Sequence, residues 1–226
     1  MKSKWLVGWV VAGAAQLAFA GTMPREIVAD FTQNAAGWQG PAGIGGATFI
    51  DPSLGVEAPA LHTQFENFGI EFSNTQARWL EAFKHPGRVE VGLKANVFSI
   101  FFFSREVPRT LVLEIRDHKN PPEGYPYTSV WVPLGTLQSK DVGWHKFAVR
   151  IDDTQATDLP AGWGGTGAED PQTFGPVLPE GRTFANVLAN ADEIAFTTLE
   201  PGWYYDMAQF DVAVDHLFVK HVRSPD

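Results

Sequence analysis

The chain has no cysteine among its 226 residues. That excludes disulfides, thiol catalysis, cysteine-ligated zinc and the lipid-bearing cysteine of bacterial lipoproteins, so burial alone must hold the fold. Positive charge is short as well: Lys and Arg number 17 against 26 Asp and Glu, a formal charge of −9. A surface this acidic is repelled by nucleic acid and anionic lipid, and meets neutral sugars or cations without that penalty. Catalytic patterns are missing too. His62, His85, His118, His145, His216 and His221 form no His-x-His or His-Glu-x-x-His arrangement, which argues against a zinc hydrolase. There is no Gly-x-Ser-x-Gly elbow, and the glycines from Gly162 to Gly167 lack the Lys-Ser/Thr of a phosphate-cradling loop. The adjacent acids Asp152-Asp153, Glu169-Asp170 and Asp192-Glu193 point to opposite faces of a strand or sit solvated in turns. A glycosidase needs two carboxyls facing each other across a cleft.

What is present begins with a leader. Lys2 and Lys4 precede an uncharged, mostly apolar stretch over residues 5–17, and Ala18-Phe19-Ala20 gives a small-x-small cleavage pattern. The apolar stretch falls short of the about 20 residues that span a bilayer. Residues 1–20 therefore read as a secretory signal peptide cleaved after Ala20, and residues 21–226 as one domain released into the periplasm or outside the cell. Losing Lys2 and Lys4 takes the formal charge from −9 to −11. No later segment is long and apolar enough for a membrane helix, so no membrane insertion is expected.

Aromatics make up 13% of the chain, and Gly 22 with Pro 16 implies many turns and little helix. Strands are predicted near residues 27–31, 68–73, 88–93, 97–103, 110–116, 128–134, 144–151, 193–199 and 210–222. Over 110–116, Leu111, Leu113 and Ile115 alternate with Val112, Glu114 and Arg116. The almost continuously apolar run 97–103 predicts a central strand buried on both faces. One short helix is expected over 184–191, and a long irregular Gly/Pro-rich loop over 159–181, a kind of loop that is often functional. Roughly eight to ten short strands with scarcely any helix predict an all-β, antiparallel β-sandwich of jelly-roll type.

Several segments carry a family likeness. Asp30-Phe31 is followed by Gly37-Trp38; Gly143-Trp144-His145-Lys146-Phe147 stands in the middle; and residues 210–219 carry Asp215 followed by His216, Leu217 and Phe218. This set resembles the jelly-roll carbohydrate-binding modules of the galactose-binding-like superfamily. The resemblance implies a jelly roll with Trp38 and Trp144 in the core. It also implies a structural calcium ion where the first and last strands meet. Asp30 and Asn34 at one end, and Asp211 and Asp215 at the other, would supply the oxygens such an ion needs. The family's opening motif carries an acid after the Phe, where this chain has Thr32. Solvated or backbone-bonded aspartates are the alternative.

The aromatic loops are the candidate ligand site. Trp203, Tyr204, Tyr205 and Asp206 lie between the last two strands, and Trp163 lies in the long loop. Flat rings match the C–H faces of sugars, while Glu169, Asp170 and Asp206 match the hydroxyls. The same aromatics fit a second arrangement, in which Trp163 plugs the end of the sandwich and alternate residues of 203–205 pack inward. The leading expectation is an exported, non-catalytic module binding a glycan. A structural or adhesive surface protein is the alternative, and a polysaccharide lyase or hydrolase a third. A lyase would need a basic groove, for which Arg105, Arg109, Arg116 and His118 are the available residues.

Overall fold

The computed structural model describes residues 26–222. The expected leader and its cleavage point lie outside the described residues. The strands are β1 (Glu26–Ala29), β2 (Gly46–Asp51), β3 (Ala60–Asn67), β4 (Glu71–Asn74), β5 (Arg88–Phe102), β6 (Arg105–Glu106) and β7 (Arg109–Asp117). There follow β8 (Thr128–Leu137), β9 (His145–Ile151), β10 (Gly164–Thr166), β11 (Ala168–Glu169), β12 (Pro176–Val177), β13 (Glu193–Thr197) and β14 (Ala208–Val222). Helix α1 (Ala77–Lys84) precedes β5, and α2 (Phe184–Asn190) precedes β13.

Two antiparallel sheets face each other. The seven-stranded sheet runs β2-β3-β14-β5-β6, with β1 also on β14 and β9 also on β5. The five-stranded sheet runs β10-β8-β7-β13-β4, and β11 and β12 form a separate ribbon. This is the expected all-β sandwich of jelly-roll type. Alternation explains its core. Leu111, Leu113 and Ile115 of β7 turn inward, as do Ile194 and Phe196 of β13, and each is essentially inaccessible to water. On β14 the inward set is Phe210, Val212 and Val214, and then Leu217 and Val219. The skipped step falls at His216, whose φ is 49° and where pairing with β5 shifts register. That bulge bends the long closing strand and keeps both ends of it in the core.

Helix α1 was not anticipated. It sends Trp79, Leu80 and Phe83 into the core. The Trp79 indole N–H donates to the Ala36 carbonyl at 3.1 Å, and its ring meets Trp38 edge-on at 5.2 Å. Trp38 in turn lies 5.6 Å from Phe196. Trp38 is thus a core residue, whereas Trp144 is only half-buried. Strands β2 and β3 were also unanticipated.

The run 97–103 corrects another expectation: it is buried on one face only. Val97 and Ile100 are buried, while Phe98, Phe101 and Phe103 are 41%, 36% and 88% exposed. It continues the same strand as 88–93, and a bulge at Phe98 lets pairing with β14 jump from Ser99 to Val97. On this outer face His62 is held between two carboxylates, Nδ1 at 3.2 Å from Asp51 Oδ2 and Nε2 at 2.7 Å from Asp211 Oδ1. No helix among the described residues is long and apolar enough to cross a membrane.

Replacing Trp79 with Ala removes a fully buried ring and one hydrogen bond. Urea unfolding should register a loss of about 3–5 kcal/mol with little change in slope.

Candidate ligand cleft

A cleft of about 360 Å³ opens on the outer face of the five-stranded sheet. Glu114 and Arg116 of β7 form its floor, with Tyr125 and Tyr127 from the segment leading into β8. One wall is Thr166, Glu169, Phe174 and Pro176 from the long loop; the other is Leu199, Pro201, Gly202 and Tyr204 from the β13–β14 connection.

The floor is rigid because of Arg116. Glu114 and Arg116 share the outward face of β7, Glu193 sits directly opposite Arg116 on β13, and Glu71 projects from β4. Arg116 Nε and Nη2 donate to Glu114 Oε2 at 2.9 and 2.6 Å. Its Nη1 and Nη2 form a fork on Glu71 at 2.9 and 2.5 Å, and Nη1 also reaches Glu193 Oε2 at 3.3 Å. Five contacts account for all five N–H donors of a guanidinium. The second oxygen of Glu114 accepts from Ser129 Oγ at 2.6 Å. Burial alone would draw the Arg116 pKa down; the hydrogen bonds to Glu71 and the charge on Glu114 outweigh it, so the group is held firmly charged. The Tyr127 ring lies under the guanidinium at 4.9 Å. Burial first, and then the charge of Glu114, push its phenol up to about 12.

The walls owe their order to close backbone approach. β10 pairs with β8 at the edge of the sheet. A Cβ at Gly164 would fall 2.4 Å from the Trp131 indole, so only glycine lets β10 lie on that ring. At Gly202 (φ +83°) a Cβ would sit 2.8 Å from Pro176 Cδ, so glycine lets the two walls touch. Below Phe174, Asp170 accepts from the amides of Gln172 and Thr173 and from the Thr173 hydroxyl. Led by the two amides, these bonds hold its pKa below the ordinary carboxylate range.

The residues expected at the ligand site divide. Tyr204 lines the cleft and is 99% exposed. Trp203 is 65% exposed but does not line it. Tyr205 turns back: its hydroxyl donates to Glu200 Oε2 at 3.0 Å, and Arg109 stacks over its ring at 4.7 Å. Arg109 also donates to the Asp206 carbonyl at 3.0 Å. The Tyr205–Asp206 pair therefore anchors the loop that presents Tyr204. Trp163 lies outside the cleft lining, half-buried and edge-on to Phe184 at 5.0 Å. Of the acids paired with these rings in the sequence, Glu169 reaches the cleft. Sequence reasoning missed Glu114, Tyr125, Tyr127 and Phe174 as site residues. The polar face of the 110–116 alternation was the one available signal.

The four expected calcium ligands do not converge. Asp30 and Asn34 line one groove beside Arg78, each already accepting from its own loop: Asp30 from Thr32, Asn34 from the Ala36 amide. Asp211 faces His62 and Gln64 on the outer sheet face. Asp215 is buried and accepts from the Val56 and His216 amides. Among the described residues no group of three or more His, Asp or Glu could hold a metal ion. These donors do not fit one calcium ion.

No family model matches the chain, and no curated protein matches it. Among solved structures, the C-terminal family 22 carbohydrate-binding module of Clostridium thermocellum Xyn10B is similar at 8% identity, over 88% of this chain and 96% of that one, with a TM-score of 0.45. A family 11 carbohydrate-binding module from Clostridium thermocellum, in complex with a β-1,3-1,4-mixed-linked tetrasaccharide, gives 13%, 88%, 98% and 0.42. A carbohydrate esterase from the Shiga toxin-encoding bacteriophage phi24B gives 12%, 85%, 96% and 0.40. The likeness lies in the course of the chain and does not separate a binding module from an enzyme.

Replacing Arg116 with Met strands buried carboxylates and should cost about 3–5 kcal/mol in chemical denaturation. Tyr127 gives a pH signature. Its folded pKa of about 12 lies above the ordinary 10.0, so its contribution to stability is complete below pH 10 and is lost as pH rises towards 12. Phenolate absorbance in wild type and Tyr127→Phe should show one late-titrating tyrosine disappear.

Proposed function

We propose that the chain is an exported, non-catalytic carbohydrate-binding module whose ligand lies in the cleft on the five-stranded sheet. One observation carries this reading: exposed rings and a fixed polar floor share the same cleft. Tyr204 and Phe174 stand 99% and 76% exposed, with Tyr125 beside them. Aromatic faces left in water at a cleft are matched by sugar C–H faces, and their polar edges by hydroxyls. The floor loses little entropy on binding because Arg116 and Ser129 already fix Glu114. Trp203, next in the chain, is available to a longer ligand.

The chemistry of the cleft favours binding over bond cleavage. A lyase acting on uronates needs a cationic group to neutralise the substrate carboxylate, and Arg116 has spent its donors on the protein's own acids. Its base must lose a proton near neutral pH, and the Tyr127 phenol is pushed the other way. Glu114 accepts on both oxygens, which supports a structural carboxylate rather than a proton donor. A protein-contact role has its own observation, the exposed Phe49, Phe98, Phe101 and Phe103 at the seven-stranded sheet.

Tyr204→Ala and Phe174→Ala should each weaken retention on a polysaccharide affinity gel by about tenfold. Their melting temperatures should stay put, because neither ring is buried. Unaltered retention in both variants removes the cleft from consideration. If retention instead falls with Phe103→Ser, the glycan lies against the exposed phenylalanines of the seven-stranded sheet.

A further inference from the structure

We infer that the cleft selects amine-bearing glycans, that is, chains of deacetylated amino sugars carrying protonated amino groups, over neutral and acidic ones. This rests on the cleft being the glycan site. Arg116 in the floor is the single guanidinium shared by three carboxylates, Glu114 lining the cleft beside it and Glu71 and Glu193 just behind. Two negative charges are left over, and Glu169 adds another at the wall. At the far end of the network His118 faces Asp192 through Nδ1 at 2.9 Å and Glu193 through Nε2 at 3.5 Å. Even with His118 charged, these five acids outnumber the two cations.

The placement of the donors acts in the same direction as the charge. Arg116 is the one Lys or Arg lining the cleft, and its five N–H groups all end on protein carboxylates. No cationic donor remains to clamp a carboxylate, sulfate or phosphate on a ligand. Glu169 is exposed, and its carboxylate accepts no hydrogen bond among the described residues. An ionised carboxylate is acceptor-only, so the cleft asks its ligand for donors. A hydroxyl supplies one neutral donor, whereas an ammonium supplies three with a positive charge that the surplus acids favour. A uronate brings a charge of the wrong sign into a cleft already negative.

The test is calorimetry on the full chain with β-1,4-linked oligomers of glucosamine and of N-acetylglucosamine, and with α-1,4-linked oligogalacturonate. In mildly acidic buffer the glucosamine oligomer should bind at least about tenfold more tightly than its N-acetylated counterpart, and galacturonate not at all. The preference should vanish in alkaline buffer, where the ligand amine is neutral. Glu169→Gln should weaken glucosamine binding about threefold. Glu57→Gln removes the same charge from the β2–β3 connection and should change nothing, which separates the cleft from the acidity of the whole protein. Equal affinity for the two oligomers, a preference that survives alkali, tight galacturonate binding, or equal effects at Glu57 and Glu169 each overturn charge selection. Binding that still falls with Tyr204→Ala in those cases leaves the cleft itself standing. Binding indifferent to Tyr204→Ala overturns the cleft and this inference with it; no binding by any oligomer overturns charge selection alone, and retention on the polysaccharide gel then decides the cleft.

Discussion

One guanidinium ties three adjacent strands of the five-stranded sheet together. Arg116 stands on β7, yet it bonds Glu193 on β13 and Glu71 on β4, the strand beyond. Arg116 lies level with Glu193 and Glu71 level with Thr197, so Ala195, small, fully buried and on the same face of β13, stands between the two levels. A larger residue there would stand in the arginine's path. Backbone pairing sets strand spacing, and the period of two sets which side chains face outward; the ionic bridge fixes how the outward side chains of these strands sit against one another. The floor of the cleft and the surplus of negative charge both descend from that arrangement.

The sequence was most legible where neighbours in the chain are also neighbours in space. Alternation over 111–116 correctly separated Leu111, Leu113 and Ile115 from Glu114 and Arg116, because a strand has a period of two whatever it pairs with. The site was illegible for the complementary reason. Glu71, Arg116 and Glu193 are 45 and 77 residues apart at their contacts, and no local pattern announces that three acids will share one arginine. The aromatic loop was half legible. Trp203, Tyr204 and Tyr205 were visible as a cluster, but their division into exposed rings and an anchor depends on Arg109, almost a hundred residues earlier.

Two misreadings have local causes. Helix α1 has no acidic residue in its first turn and no side-chain cap, so the usual start signals were silent, although Trp79, Leu80 and Phe83 already formed an apolar stripe. The run 97–103 looked like a doubly buried strand because it contains four phenylalanines. Hydrophobicity alone cannot tell a central strand from one with a bare outer face. The Gly/Pro-rich run 159–181 likewise read as one irregular loop, whereas it carries β10, β11 and β12, and Gly164 lets β10 lie on Trp131.

The contact between Gly202 and Pro176 gives the cleft a separate point of control. The gap between its walls is set where one backbone rests on another, at a position whose side chain is a single hydrogen atom. A ligand gains nothing from that hydrogen directly, yet any carbon in its place must push the walls apart or rotate one loop away. How wide a chain the cleft admits and which groups it recognises are thus written in different residues, and each can change while the other stays as it is.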